Sequence, residues 1–360
     1  IRAATILLGL LGSVGRPGGG IAAMRGHSNV QGASDFPLLA HLLMGYIAVP
    51  QKGANSLEEY LLKVTRPTGW WANTPKYVVS LLKAWFGEHA TAENDFGFNS
   101  LPRAFGDHMI FGILDQMRQG IVEGLIQMGQ NIALSGQHAS FIRTDALPKL
   151  KWMAIVDPFL TESATFWKDA PEVEEGKLKP EEIQTEIFVF PAAAFAEKSG
   201  SITNTGRTAQ WREKAGKSPG DARGDLYFTY ELGKRLKKLY ANSTNPRDWA
   251  IKHLTWDYEG SDPNDGPDIL KILKEINGYN VADGSHVKSF LELKDDGSTA
   301  CGNWLYAGIY PDPKTNRAAS RDPHGRYALN WGFTWPANRH ILYNRASADP
   351  NGRPWAENKK

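Results

Sequence analysis

Cysteine is almost absent from this chain of 360 residues, since Cys301 is the only one. One thiol cannot form an internal disulfide, and it cannot supply the four cysteines of an iron–sulfur or zinc site. A free cysteine commonly behaves as a small buried apolar residue, and the glycine-rich surroundings of Cys301 favour that structural role. A four-cysteine cluster within these 360 residues is therefore excluded.

A dominant charge is missing as well. The chain holds 41 Lys and Arg residues against 39 Asp and Glu residues, which gives a formal net charge of +2. This balance creates no overall field that would attract nucleic acid or an anionic membrane. The apolar runs are too short to cross a bilayer. Partners must therefore be recognised locally, by particular side chains.

Two common catalytic signatures are also absent. No Gly-x-Gly-x-x-Gly follows a predicted strand, which disfavours a nicotinamide dehydrogenase with its own Rossmann site. The histidines are scattered without metal-ligand spacing, as His41, His89, His108 and His138 show. They give little support to a non-haem metal enzyme.

The length of the chain exceeds that of a usual single core, so two domains or parts of domains are expected. Apolar side chains near the start have the spacing of an amphipathic helix; they are Ala3, Ile6, Leu7, Leu10 and Leu11. Because the chain opens within a helix and without an initiator Met, we interpret it as an interior fragment. We predict the end of an α/β domain at 1–27, an α/β dinucleotide-binding unit at 28–195 and an irregular α+β segment at 196–360.

Three short apolar runs predict a parallel sheet in the second stretch. They are Gly124–Met128, 152–156 and Glu186–Pro191, and a helical pattern over 141–150 separates the first two. Strands joined by a helix favour parallel pairing with a right-handed crossover. Ligands bind such sheets at the carboxyl ends of the strands, so we expect 129–131 and 157–161 to lie at one edge. The third stretch contains a predicted helix over 221–240 and a predicted surface excursion over 257–284.

The segment richest in chemical groups lies near the start. Four glycines within 15–20 leave the backbone free to bend, so that N–H groups can approach a large anionic ligand. Arg25 and His27 follow at once. A guanidinium can bind a small carboxylate through two parallel hydrogen bonds, and an imidazole can donate a hydrogen bond or accept a proton. Each could instead have a purely structural role.

The sequence Gly-Arg-Pro-Gly-Gly-Gly at 15–20, followed by Arg-Gly-His-Ser-Asn-Val-Gln-Gly at 25–32, resembles the catalytic (alpha) subunit of molybdenum- or tungsten-dependent formate dehydrogenases. This family is part of the molybdopterin oxidoreductase superfamily. Further segments resemble the family in the same order, at 92–94, 128–131, 157–167, 197–207 and 341–350. His27, the surroundings of Trp304 and the segment 344–350 resemble its respiratory and periplasmic branch.

The resemblance implies a bis-molybdopterin guanine dinucleotide cofactor carrying tungsten or molybdenum, and formate oxidation to carbon dioxide. It also implies electron transfer to an iron–sulfur (beta) subunit and a periplasmic location. No counterpart of the metal ligand, of the cysteines of the [4Fe-4S] cluster or of the C-terminal barrel-like domain is found here. We therefore expect these parts in a remainder of the catalytic subunit, and we expect the present chain alone to be inactive.

The resemblance assigns particular residues to the site. Arg25 and His27 are the predicted catalytic residues. The predicted cofactor-binding residues are Gly19, Gly20, Asn29, Gln31, Gly129, Gln130, Asn131, Asp157, Thr161 and Arg207. Asn29 and Gln31 could equally stabilise their turn, Asp157 could cap the following helix, and Arg207 could be structural.

Two other interpretations stay open at this point. One is another molybdopterin oxidoreductase, such as a nitrate reductase, although the triplet Arg25-Gly26-His27 resembles the formate branch. The other is a non-catalytic scaffold chain that retains the fold. The sequence distinguishes neither tungsten from molybdenum nor selenocysteine from cysteine as the missing metal ligand.

Overall fold

A computed structural model describes residues 2–14, 20, 25–104, 106–260, 266–321 and 330–335. The α-helices are α1 Arg2–Leu10, α2 Val30–Asp35, α3 Leu57–Val64, α4 Thr74–Phe86, α5 Ile110–Arg118, α6 Ile132–Ser135, α7 Ala139–Phe141, α8 Glu162–Asp169, α9 Pro171–Glu174, α10 Asp225–Tyr240, α11 Trp249–His253 and α12 Ile269–Asn277. The strands are β1 Leu42–Leu43, β2 Ile47–Ala48, β3 Gly124–Met128, β4 Trp152–Asp157, β5 Glu186–Pro191, β6 Gly200–Thr203, β7 Thr208–Arg212, β8 Tyr279–Asn280, β9 Thr299–Ala300 and β10 Gly332–Phe333. Within these ranges, no helix combines the length and the apolar character that crossing a bilayer requires.

The predicted parallel sheet is confirmed. Strands β3, β4 and β5 pair in that order, and both pairings are parallel, with Trp152 opposite Gly124 on one side and Glu186 on the other. The mixed α/β class is confirmed with it. Strand β4 continues one residue beyond the apolar run, so that Asp157 is its last residue. Its carboxylate therefore lies at the edge where ligands of parallel sheets bind.

The connection between β3 and β4 is helical, as the sequence predicts, but it is not one regular helix. It consists of α6, α7, a π-helical segment at Ile142–Ala146 and a 3-10 segment at Leu147–Lys149. Pro148 lacks the N–H that would continue an α-helix. Ile142 and Leu147 are fully buried beneath the sheet. These irregular helical segments therefore still place apolar side chains in the core.

A second core joins the early and late parts of the chain. Trp304 stacks on Tyr77 of α4 with ring centroids 4.2 Å apart, and its indole N–H donates to the Gly45 carbonyl at 2.9 Å. Gly45 has a φ of +67°, and a Cβ there would lie 2.4 Å from the Trp304 indole nitrogen, so only glycine fits. Cys301 is buried in the same core, as expected. The domain boundaries remain a prediction.

A small antiparallel sheet lies in the third stretch. Strands β6 and β7 form a hairpin whose last ladder pair is Thr203 with Ala209, and β10 pairs with the other side of β7. The turn of this hairpin includes Arg207, whose φ of +64° is uncommon for a residue with a side chain. The hairpin presents this turn to the segment that contains Arg25.

The prediction of a surface excursion over 257–284 is wrong in part, because α12 lies within it. The Asp268 side chain accepts a hydrogen bond from the Leu270 N–H at 2.8 Å and starts the helix. At its end Asn277 is 1% exposed, and its side-chain oxygen accepts from the N–H groups of Gly308 and Tyr310. The turn pairs before the helix concealed it in the sequence. The predicted helix over 221–240 is confirmed, although it begins at Asp225.

Helix α12 also carries a carboxyl group with a perturbed pKa. The Tyr258 hydroxyl donates to Oε2 of Glu275 at 2.5 Å, and burial raises the pKa of Glu275 to about 7. A carboxyl whose pKa is raised on folding stabilises the protein below its unfolded pKa, and this stability is lost as the pH rises through about 7. We expect Glu275→Gln to raise the melting temperature at pH 8 and to change it little at pH 4.5.

Thermal unfolding of the chain at the two pH values measures this difference. Glu181 is exposed, so Glu181→Gln serves as the matched control and should show no such pH dependence. An equal change in melting temperature at both pH values in Glu275→Gln would show that ionisation of Glu275 has no part in stability.

Candidate functional site

The first part of the site is the segment that follows the glycine loop. Gly20 has a φ of +114°, which glycine adopts readily, whereas Gly19 lies outside the described residues. Arg25 is half-buried, and its backbone N–H donates to Oγ1 of Thr205 at 3.2 Å. His27 is exposed. The turn between β6 and β7 therefore fixes the backbone at Arg25.

Asn29 and Gln31 occupy different environments. Oδ1 of Asn29 accepts a hydrogen bond from the Thr203 N–H at 2.9 Å, and a Cβ at Gly32 would lie 2.1 Å from that oxygen. This oxygen therefore joins the Arg25 segment to strand β6, and the Asn29 side chain makes no capping hydrogen bond to α2. Gln31 is 4% exposed, and its Oε1 has no hydrogen-bond partner in the described part of the chain.

Next to these residues lies a buried polar network that the sequence did not predict. Asp35 is fully buried at the end of α2; its Oδ1 lies 3.2 Å from Nη1 of Arg207, and its Oδ2 accepts from the Tyr306 hydroxyl at 3.1 Å. Burial raises the pKa of Asp35 to about 6, while the charge of Arg207 opposes the shift. The spacing of four residues from Gln31, which places both side chains on one face of α2, is the signal that could have revealed it.

Arg207 has one guanidinium nitrogen in an ion pair and another without a hydrogen-bond partner among the described residues. Its Nη1 pairs with Asp35, and its backbone oxygen accepts from the Thr334 N–H at 2.9 Å. Its guanidinium carbon lies 5.7 Å from the centre of the Trp335 ring. Nε is buried and has no partner among the described residues. The structural role considered for Arg207 is therefore present at Nη1, and Nε has capacity for a further acceptor.

The second part of the site lies at the carboxyl edge of the parallel sheet. The Gly129 N–H donates to the Val156 carbonyl at 3.0 Å, and Oδ1 of Asn131 accepts from both the N–H and the hydroxyl of Ser163, at 3.1 and 3.0 Å. Gln130, between them, is exposed. The loop after β3 is thus bonded to β4 and α8. The expectation that the two strand-end loops share an edge is confirmed.

Asp157 does not cap a helix. It is 8% exposed, and its Oδ1 accepts from the Phe159 N–H at 3.0 Å, which closes the turn at Pro158, whereas α8 begins only at Glu162. The N-cap position belongs to Thr161, and Oγ1 of Thr161 is buried without a partner among the described residues. The edge therefore presents a carboxylate and an unsatisfied hydroxyl.

Metal ligands are not gathered within the described ranges. No three His, Cys, Asp or Glu side chains lie close enough there to hold a metal ion. What the described residues offer is backbone N–H groups, amides, a carboxylate, a hydroxyl and a guanidinium. This set suits a large polar ligand with phosphates and hydrogen-bonding ring atoms.

Comparison with known proteins gives the family. No protein-family profile matches the chain. The chain is 38% identical to the formate dehydrogenase-O major subunit of Escherichia coli K12, over 99% of its own length and 36% of that protein. It is 37% identical, over its full length and 36% of each relative, to the formate dehydrogenase major subunit of Haemophilus influenzae and to the formate dehydrogenase 2 subunit alpha (cytochrome c-553) of Nitratidesulfovibrio vulgaris. The chain therefore belongs to the family of formate dehydrogenase major (alpha) subunits and spans about a third of their length.

Proposed function

We propose that the chain is part of a catalytic subunit that oxidises formate to carbon dioxide at a bis-molybdopterin guanine dinucleotide centre carrying tungsten or molybdenum. The relatives align with nearly the whole of this chain, and they are named formate dehydrogenases. This favours formate over the substrates of other molybdopterin oxidoreductases. Since the chain spans only 36% of these relatives, the proposal concerns an enzyme that includes further polypeptide.

The observation that carries the proposal is a set of buried polar atoms without partners. Buried polar groups in folded proteins are nearly always hydrogen-bonded, so each exception needs an explanation. Three of the residues assigned to the cofactor carry such atoms, namely Gln31 at Oε1, Thr161 at Oγ1 and Arg207 at Nε. A pterin dinucleotide offers ring N–H donors and phosphate acceptors that match these atoms. The residues present thus fit the cofactor.

The carboxyl edge of the sheet would hold the guanine nucleotide. The Asp157 carboxylate accepts one hydrogen bond from its own turn, and a carboxylate has capacity for more. Guanine carries two adjacent N–H donors, which a carboxylate can accept together. Gly129, Gln130 and Asn131, on the neighbouring loop, would supply backbone N–H and amide groups to the same nucleotide.

Arg25 and His27 would act on the substrate. When bound, the metal centre accepts the two electrons as formate becomes carbon dioxide and a proton. The Arg25 guanidinium can hold the formate carboxylate in one orientation through two parallel hydrogen bonds. The exposed His27 can donate a hydrogen bond or accept the released proton.

The proposal extends to the partners of the enzyme. The electrons would leave through a [4Fe-4S] cluster in the rest of the catalytic subunit and through an iron–sulfur beta subunit. The location would be periplasmic. The activity is tested by formate-dependent reduction of a viologen dye by the assembled enzyme. No turnover in enzyme with a full complement of metal would contradict it.

The role of Asp157 can be tested by cofactor content. We expect Asp157→Ala to lower both guanine and metal in the assembled enzyme, because leaving a buried donor pair unpaired costs about 1–3 kcal/mol. Guanine is measured by chromatography after acid release and metal by elemental analysis. Asp169→Ala at the exposed end of α8, with a side chain 58% exposed, is the control and should keep full occupancy. Full occupancy in Asp157→Ala would instead limit Asp157 to closing its turn.

A further inference from the structure

The β6–β7 hairpin contacts the Arg25 segment at three alternate residues, the last residue of β6 and two residues of the turn. We name these residues the hairpin clamp: Thr203, Thr205 and Arg207. The three contacts are Thr205 Oγ1 with the Arg25 N–H at 3.2 Å, the Thr203 N–H with Asn29 Oδ1 at 2.9 Å, and Arg207 Nη1 with Asp35 Oδ1 at 3.2 Å. They join positions 25, 29 and 35 to positions 205, 203 and 207, respectively. The clamp therefore holds the segment 25–35 at both of its ends and at Asn29.

A tyrosine closes these contacts into a ring. The Tyr306 hydroxyl donates to Oδ2 of Asp35 at 3.1 Å and lies 2.7 Å from Oγ1 of Thr203. Asp35, Thr203 and Tyr306 are all at least 94% buried. Hydrogen bonds shielded from water in this way resist local opening. The contacts among Asp35, Thr203 and Tyr306 are consequently the rigid part of this arrangement.

The Arg25 end of the clamped segment is more accessible to water than the Asp35 end. Gly26, His27 and Ser28 are exposed. These three exposed residues separate Arg25 from α2, so the buried ring of Asp35, Thr203 and Tyr306 does not by itself fix the position of Arg25. The hydrogen bond from the Arg25 N–H to Thr205 connects Arg25 directly to the clamp.

We propose that Thr205 is a positioning residue that fixes the backbone of Arg25 so that its guanidinium meets formate in one orientation. This inference rests on the proposed function. Thr205 itself need not touch the substrate. Orientation matters because a misplacement of about 1 Å can lower a rate by about 10²-fold. The hydroxyl of Thr205 is the group required, so valine, which has the same shape without the hydroxyl, removes it selectively.

The experiment compares Thr205→Val and Thr205→Ser in the assembled enzyme. We expect Thr205→Val to increase amide hydrogen exchange in peptides covering 25–29 and to lower kcat/KM for formate about tenfold or more, with metal content unchanged. Thr205→Ser keeps the hydroxyl and should restore both values. Thr229→Val is the matched control, since the Thr229 hydroxyl bonds only within α10, to the Asp225 carbonyl, in the contacts described.

Each outcome bears on a separate claim. Unchanged exchange at 25–29 in Thr205→Val, with Arg25→Lys still impaired, would overturn the positioning role and leave the proposed function intact. Increased exchange with unchanged kcat/KM would overturn the claim that this contact orients Arg25 for formate. Normal turnover in Arg25→Lys would overturn the proposed function of Arg25 itself, whatever Thr205→Val shows.

Discussion

Replacing Arg25 by lysine is expected to leave the metal bound and to lower kcat/KM for formate by about 10²-fold or more, or about 2.7 kcal/mol of transition-state stabilisation. Lysine keeps the positive charge but loses the planar pair of donors that binds both carboxylate oxygens. The hydrogen bond from the Arg25 N–H to Oγ1 of Thr205 uses the Arg25 backbone, so Arg25→Lys retains this donor. The expected loss is therefore specific to substrate orientation.

Steady-state kinetics with formate and elemental analysis of the same samples measure this effect. Arg118→Lys on α5 is the matched control, because Arg118 is a half-exposed arginine paired with Asp115 on its own helix. His27→Gln is expected to be milder. Near-normal kcat/KM in Arg25→Lys with full metal would assign Arg25 to packing or to the pterin instead.

The largest stability effect is expected at a buried ion pair. Arg143 donates from Nε and Nη2 to the two carboxylate oxygens of Glu172, at 2.8 and 2.7 Å, and from Nη1 to the Ala133 carbonyl. The two side chains are only 12% and 7% exposed. Removing one partner leaves a buried charge unpaired, which costs about 3–5 kcal/mol. We expect Glu172→Ala to lower the free energy of unfolding by this amount.

Urea unfolding of the chain measures the loss. Glu182→Ala is the control, because Glu182 forms an exposed pair with Lys179 that contributes at most about 1 kcal/mol. Pairing with Arg143 lowers the pKa of Glu172 to about 2, so its stabilisation is present above the unfolded value and is lost as the pH falls through about 2. A loss below 1 kcal/mol in Glu172→Ala at pH 7 would contradict the assignment.

The sheet could be predicted because its signals are local. Strands β3 and β5 coincide with their predicted bounds, Gly124–Met128 and Glu186–Pro191, since each is a short apolar run bounded by a change in residue type. The parallel pairing followed from the helical connection. Helix α12 at Ile269–Asn277 was missed because the turn residues before it masked its start.

The site was only partly predictable for a different reason. The resemblance assigned Arg207 and Gln31, but it gave no indication of the buried carboxylate of Asp35 that pairs with Arg207. That network depends on residues far apart in the sequence, with Asp35 and Arg207 separated by 172 positions and Asp35 and Tyr306 by 271. No local pattern records such a pairing. The dual state of Arg207, with one nitrogen engaged and another unsatisfied, likewise emerged only from the fold.

The same separations set the order in which the molecule can assemble. The loops at the edge of the parallel sheet close over about thirty residues, as the bond between Asn131 and Ser163 shows, so that unit can form early. The Arg25 segment is synthesised long before Tyr306, yet the ring of Asp35, Thr203 and Tyr306 is complete only when Tyr306 has emerged. The two parts of the candidate site therefore form at different stages, and the part that contains Arg25 and Asp35 has to wait for residues synthesised much later.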